Sequence, residues 1–159
     1  MIKALVSGTF DPITVGHLDI IKRAASMFSE VHVVIFDNSE KNTMFSTEQR
    51  KHMLEAACSE FKNVKTATHD GLLTDYTKKE NISVIVRGIR NPTDTSYELS
   101  IATINKSLGN SPDTILLPSI PEFSHISSSF VRDMIRYHQS LDGIIPDKSL
   151  DLLNLFLQK

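Results

Sequence analysis

The stretch Ile2-Lys3-Ala4-Leu5-Val6-Ser7-Gly8-Thr9-Phe10-Asp11-Pro12-Ile13-Thr14-Val15-Gly16-His17 decides the fold. A short apolar run ends at Gly8, as a buried strand does. Leu18, Ile21, Ala24, Ala25 and Phe28 then recur at i, i+3, i+4 spacing, the mark of an amphipathic helix. The loop between them carries unusual chemistry. Gly8 allows a tight turn and Pro12 fixes the path of the chain. Gly16 lets backbone come close to a ligand, and His17 falls on the first helical turn. Unpaired N–H groups and the positive end of the helix dipole meet there, so the spot is a ready anion site. A histidine so placed hydrogen-bonds a phosphate oxygen with one ring nitrogen while the protein holds the other. A lone Gly-x-His is an ordinary turn with a surface histidine; the full string between strand and helix is what carries the reading.

The same alternation continues along the chain. Val31 to Phe36 is strand-like, and Ser46-Thr47-Glu48-Gln49 has the capping-box form that opens a helix with Leu54, Ala57, Cys58 and Phe61 on its core face. Asn63 to Thr68 reads as a strand, Leu72 to Glu80 as a short helix, and Ile82 to Val86 as a β-branched strand broken by Gly88. Tyr97, Ile101, Ile104 and Leu108 mark a longer helix, and Thr114 to Leu117 a fifth strand. Ser127 is placed to cap a helix through Phe130, Val131, Met134 and Ile135, and Leu150, Leu153 and Leu157 close with one more after Pro146. Strands alternating with helices predict an α/β fold: a Rossmann-like, doubly wound, five-stranded parallel sheet with helices on both faces. In such folds ligands sit outside the carboxyl ends of the strands, where the strand order reverses.

With 159 residues the chain has the length of one domain, since domains run roughly 100–200 residues, and no linker or repeat divides residues 1–159. Seventeen basic residues against 19 acidic ones, net −2, give no support to a nucleic-acid or anionic-membrane partner. The single cysteine, Cys58, forms neither an intramolecular disulfide nor a cysteine-rich metal site, which fits a reducing cytoplasm. The longest apolar run, Val33 to Phe36, is far short of the roughly 20 residues of a membrane span. The chain start shows no basic segment and apolar run of a signal peptide.

Other strand-end loops carry cations and hydroxyls. Arg87 and Arg90 flank Gly88 at the end of the fourth strand; guanidinium forks suit phosphate oxygens, although two loop arginines alone are more often simply solvated. Lys41 follows the second strand and is notable only for its place there. Ser127, Ser128 and Ser129 offer three hydroxyls at a helix start, one as cap and the others free for a phosphate. Cys58 and His32 read as core residues. His52, His69, His125 and His138 make no metal-ligand spacing, so no protein-caged metal is expected.

Taken together these motifs resemble a known family. Gly8-Thr9-Phe10-Asp11-Pro12 with Thr14-Val15-Gly16-His17 is similar to the T/HxGH signature of the nucleotidyltransferase superfamily of α/β phosphodiesterases, and Ile126-Ser127-Ser128-Ser129-Phe130-Val131-Arg132 to its ISSSxxR/K motif. Val86-Arg87-Gly88-Ile89-Arg90 resembles the RGLR segment of the phosphopantetheine adenylyltransferase branch, and Lys41, Asp94, Tyr97, Glu98 and Asn105 fit that branch. Four motifs in order over essentially the whole chain make the match specific.

The resemblance implies transfer of the adenylyl group of ATP to 4′-phosphopantetheine, giving dephospho-coenzyme A and pyrophosphate, the penultimate step of coenzyme A synthesis. It implies His17 as stabiliser of the α-phosphate in the transition state. It places Thr9, Phe10, Gly88, Ile89, Arg90, Glu98 and the stretch Phe123, Ser124, His125, Ile126, Ser127, Ser128, Ser129 at ATP, and Thr9, Lys41, Leu73 and Arg87 at the acceptor. Magnesium is expected to arrive on the triphosphate, held mainly by phosphate oxygens and water. Family members are homohexamers. Val15 stands where asparagine is usual, Ser7 for proline, Thr95-Ser96 for Phe-Glu, and Phe123 for tryptophan or tyrosine. Other members of the superfamily, a nicotinamide mononucleotide adenylyltransferase or a glycerol-3-phosphate cytidylyltransferase, are the alternatives, and Arg87-Gly88-Ile89-Arg90 with Lys41 argues against both. A non-catalytic nucleotide sensor would keep the pocket without turnover.

Overall fold

The computed structural model of the chain describes residues 1–36, 42–109 and 111–158. Five strands form one all-parallel sheet: β1 Lys3–Gly8, β2 Glu30–Phe36, β3 Val64–His69, β4 Val84–Ile89 and β5 Asp113–Pro118, in the order β3-β2-β1-β4-β5. The register puts Ala4 of β1 between Val31 of β2 and Val84 of β4. The helices are α1 Val15–Met27, α2 Thr47–Cys58, α3 Leu73–Glu80, α4 Pro92–Ser107, α5 Ser128–Arg136 and α6 Asp147–Leu157, with a 3₁₀ turn at Pro121–Phe123. Among the described residues no helix is long and apolar enough to cross a membrane.

Strand residues alternate between the two faces because successive side chains point to opposite sides. Ala4, Val6, Val33, Ile35, Val84 and Val86 join the larger core with α1, α2, α5 and α6. Leu5, Val34 and Ile85 point the other way and pack with Tyr76 of α3. A strand buried on both faces therefore reads as a continuous apolar run, which is why β1, β2 and β4 are so plain in the sequence. Truncating a buried Leu5 to alanine costs about 2–5 kcal/mol on this scale. His32 is buried in the sheet, its Nδ1 2.9 Å from the Tyr76 hydroxyl and its Nε2 2.7 Å from Glu30, a structural pairing.

Helix starts follow the expected chemistry. Ser46 accepts from the Gln49 N–H at 3.2 Å while the Gln49 side chain accepts from the Ser46 N–H at 2.9 Å, a complete capping box. Ser127 caps α5 by accepting from the Phe130 N–H at 3.0 Å.

One expectation is corrected, and two helices expose apolar residues. β4 does not break at Gly88 but continues through it to Ile89, because Ile20 of α1 occupies the space a side chain would need: a Cβ at Gly88 would lie 3.0 Å from Ile20 Cγ1. The apolar stripe of α4 is not a core face. Tyr97, Ile104 and Leu108 are more than half exposed, and the one buried residue of that helix is Glu98, held by an ion pair to Arg87. Periodicity reveals an apolar stripe but not what covers it. Leu157, at the end of α6, is likewise exposed.

Candidate active site

A cavity of about 590 Å³ opens at the carboxyl ends of β1 and β4, the central strands between which the chain's direction across the sheet reverses. Its walls come from the β1–α1 loop, the end of β4, the start of α4 and the start of α5. The topology thus gathers segments far apart in sequence, and His17, Arg87, Arg90 and the three serines 127–129 all edge this one hollow.

His17 sits in the first turn of α1. The Thr14 N–H donates to its Nδ1 at 3.1 Å, the Thr14 hydroxyl lies 3.0 Å from the same nitrogen, and Thr14 Oγ1 accepts from the His17 N–H at 3.3 Å. Histidine here plays the part that glutamate or glutamine takes in an ordinary capping box. With Nδ1 engaged as an acceptor, Nε2 carries the proton. Burial, then the positive charges of Arg90 and Arg87, lower the imidazole pKa from 6.5 to about 4. The ring is neutral near pH 7 and presents an N–H to the cavity.

The arginines are held by carboxylates. Arg87 donates from Nε and Nη2 to Glu98 at 2.8 and 2.7 Å, and from Nη1 to the Ser7 hydroxyl at 2.9 Å and to the Ser7 carbonyl. The Ser7 hydroxyl thereby anchors the guanidinium. Arg90 pairs with Asp94, its Nε 2.8 Å from Oδ2. Asp11, buried in the β1–α1 loop, accepts from the N–H groups of Met44 and Phe45 at 2.9 Å each, and Arg132 of α5 donates to the Asp11 carbonyl at 2.7 Å. Asp11 and Arg132 so bind three segments of the rim together.

The hydroxyl triplet divides its work. Ser127 caps α5, Ser128 donates to the Pro12 carbonyl at 2.8 Å, and Ser129 accepts from Arg132 at 3.0 Å. All three, with Thr9, Phe10, Gly88, Glu98 and Ile126, line the cavity. Leu73 lines a smaller hollow of about 100 Å³ that shares Ser7, Arg87, Tyr97 and Glu98 with the first. Ile89, Phe123, Ser124 and His125 are not part of the cavity wall; Phe123 packs beside Gly16, whose missing Cβ would lie 3.6 Å from that of Phe123. Lys41 lies outside the described residues.

Thr14, Asp11 and Ser7 are given no role in the site by the sequence, although all three lie inside the stretch Ile2 to His17. Their signal was the string itself; what each does depends on partners that only folding supplies. Among the described residues no three His, Cys, Asp or Glu side chains gather as a metal site, and the cavity carboxylates Asp11, Asp94 and Glu98 each have an arginine partner.

A parallel sheet with helix N-termini and cations converging over its reversal point is the architecture of a nucleotide-handling α/β protein. The chain belongs to the cytidylyltransferase-like family, whose model matches residues 5–134. That membership supports a nucleotidyltransferase. Among solved structures it is similar to the lipopolysaccharide core biosynthesis protein from Thermoplasma volcanium GSS1, with 21% identity and a TM-score of 0.57 over 76% of this chain and 98% of that one. At that identity the likeness speaks for the fold alone.

Proposed function

We propose that the protein transfers the adenylyl group of ATP to 4′-phosphopantetheine, releasing pyrophosphate and forming dephospho-coenzyme A. The observation that carries the reading is the convergence of the neutral His17 N–H, Arg87, Arg90 and the α5 N-terminus on one cavity, in a chain whose motifs resemble the phosphopantetheine adenylyltransferase branch.

The chemistry suits the residues. The nucleophile is an acceptor phosphate oxygen whose second pKa is about 6, so it is largely ionised near neutrality and needs no general base. The protein has to bring two polyanions into line and meet the charge that develops on the α-phosphate. His17 donates its Nε2–H to that phosphate, supported by the N-terminus of α1. Arg90 and the start of α5, with Ser128 and Ser129, face the β- and γ-phosphates, and Glu98 with Ile126 lies along the nucleotide. Thr9 and Arg87 face the acceptor phosphate, with Leu73 beside the acceptor's arm. Lys41 joins them on the resemblance alone.

Each cavity carboxylate already has an arginine partner, so the site fits magnesium bound through phosphate oxygens and water, where the ion supplies counter-charge. A homohexamer in the cytoplasm belongs to the same reading.

Pyrophosphate release tests the reading, with ATP or CTP as donor and phosphopantetheine, nicotinamide mononucleotide or glycerol 3-phosphate as acceptor. Turnover is expected with ATP and phosphopantetheine. Release with another pair would reassign the substrates, and ATP binding without release would favour a sensor.

A further inference from the structure

Arg50, on α2, does not line the cavity, and only 1% of its surface is exposed. A guanidinium is rarely buried so deeply unless its donors are served. Its Nε donates to the Phe45 carbonyl at 3.1 Å, Nη1 to the Thr9 carbonyl at 2.9 Å and Nη2 to the Thr47 hydroxyl at 2.9 Å. Thr9 belongs to the β1–α1 loop and Phe45 to the segment before α2, so one side chain ties two walls of the site from behind.

The grip on Thr9 has a consequence for Phe10. In a planar trans peptide the carbonyl and the following N–H point in opposite directions. With the Thr9 carbonyl turned to Arg50, the Phe10 N–H points away from it, and no described residue accepts that N–H. Phe10 lines the cavity, and its φ of 47° lies in the left-handed region that a phenylalanine seldom adopts. Its ring fills the space left by Gly8, where a Cβ would come within 2.9 Å of it, and stands edge-on to the His17 ring at 5.2 Å.

We infer that Arg50 is a positioning residue: it holds the Thr9–Phe10 peptide so that the Phe10 N–H stands in the cavity as a second anion donor beside His17. This rests on the nucleotidyl-transfer reading and adds to it the residue that aims a backbone donor. Arg50 itself touches no substrate. A donor aimed at developing charge raises kcat more than it tightens substrate binding, so loss of aim falls on kcat.

Two measurements test it. In ¹⁵N-labelled wild-type protein, magnesium ATP should shift the Phe10 amide resonance together with those of His17 and Ser129. If ATP shifts His17 and Ser129 but leaves Phe10 in place, the inference is overturned; if it shifts no resonance of the cavity, the nucleotidyl-transfer reading fails and the inference falls with it. In steady-state assays, Arg50→Lys keeps the charge but gathers its donors on one nitrogen that cannot span the three separate acceptors, and Arg50→Met donates to none. Each should lower kcat by about 10–10² with KM for ATP within about threefold of wild type, the scale for misplacing a reacting group. A folded variant whose kcat stays within about twofold of wild type overturns the inference, as does a rise in KM alone, which general loosening of the site would give. If neither variant folds, the wild-type amide measurement decides.

Discussion

The backbone N–H of Thr14 donates to Nδ1 of His17 at 3.1 Å, and the two residues cap each other across the first turn of α1. A backbone N–H can only donate, so this bond selects the tautomer with its proton on Nε2. The structure therefore determines both the charge and the direction of the group that faces the cavity.

Histidine 17 should consequently titrate near pH 4 and not near 6.5, with an Nε2–H tautomer across the neutral range, as NMR of the labelled imidazole would show. The folded protein binds this proton more weakly than the unfolded chain. Its contribution to stability is therefore full above pH 6.5, declines as the pH falls toward about 4, and changes no further below that. A midpoint near 6.5 in the native protein would contradict the assignment.

Replacing His17 by alanine should lower kcat by about 10²–10³, the usual scale for one lost transition-state donor. The near-ultraviolet circular dichroism should stay native, because the ring is half-buried and Thr14 still caps the helix through its hydroxyl. Turnover close to wild type would remove His17 from the mechanism.

Gly8→Ala tests the loop from within. The new methyl would approach the Phe10 ring to 2.9 Å, and that ring is buried against His17. Overpacking of this kind costs about 1–3 kcal/mol. We expect a lower urea midpoint and a fall in kcat together, since the ring cannot move without disturbing the imidazole.

Asp11→Ala should be among the most destabilising single changes in the rim. It leaves the N–H groups of Met44 and Phe45 without their acceptor and removes a buried carboxylate from Arg132. Removing one partner from a buried ionic network costs about 3–5 kcal/mol, read as a loss in urea-unfolding free energy.

Cys58 should be inert. Burial pushes its thiol up to about 12, so almost no thiolate exists at pH 8. Ellman's reagent should find the thiol only after unfolding; rapid labelling of the native protein would show that α2 opens.

Much of the site was legible before folding because its groups sit at strand ends. The apolar runs of β1 and β4 announce where those strands stop, and whatever follows them meets at the sheet's reversal point. His17, Arg87, Arg90 and the serine triplet could be picked out on that ground, and residues 127–129 as a helix start from capping chemistry alone. Arg50 could not. It occupies an ordinary polar position on a helix, and nothing local marks it as buried. Nor does the sequence show which side of α4 is covered: the helix buries Glu98 and exposes Tyr97 and Ile104.

Local order along the chain was sufficient to determine the alternation of strands and helices, their caps, and the cationic and hydroxyl-bearing loops. Those features arise from side-chain period, backbone propensity and residues a few positions apart. The tautomer of His17, the carboxylate partners of the arginines, the burial of Arg50 and the left-handed Phe10 were decided only by the tertiary structure. Each depends on a particular charge, carbonyl or ring being brought to within a few ångströms by the packing of the whole sheet.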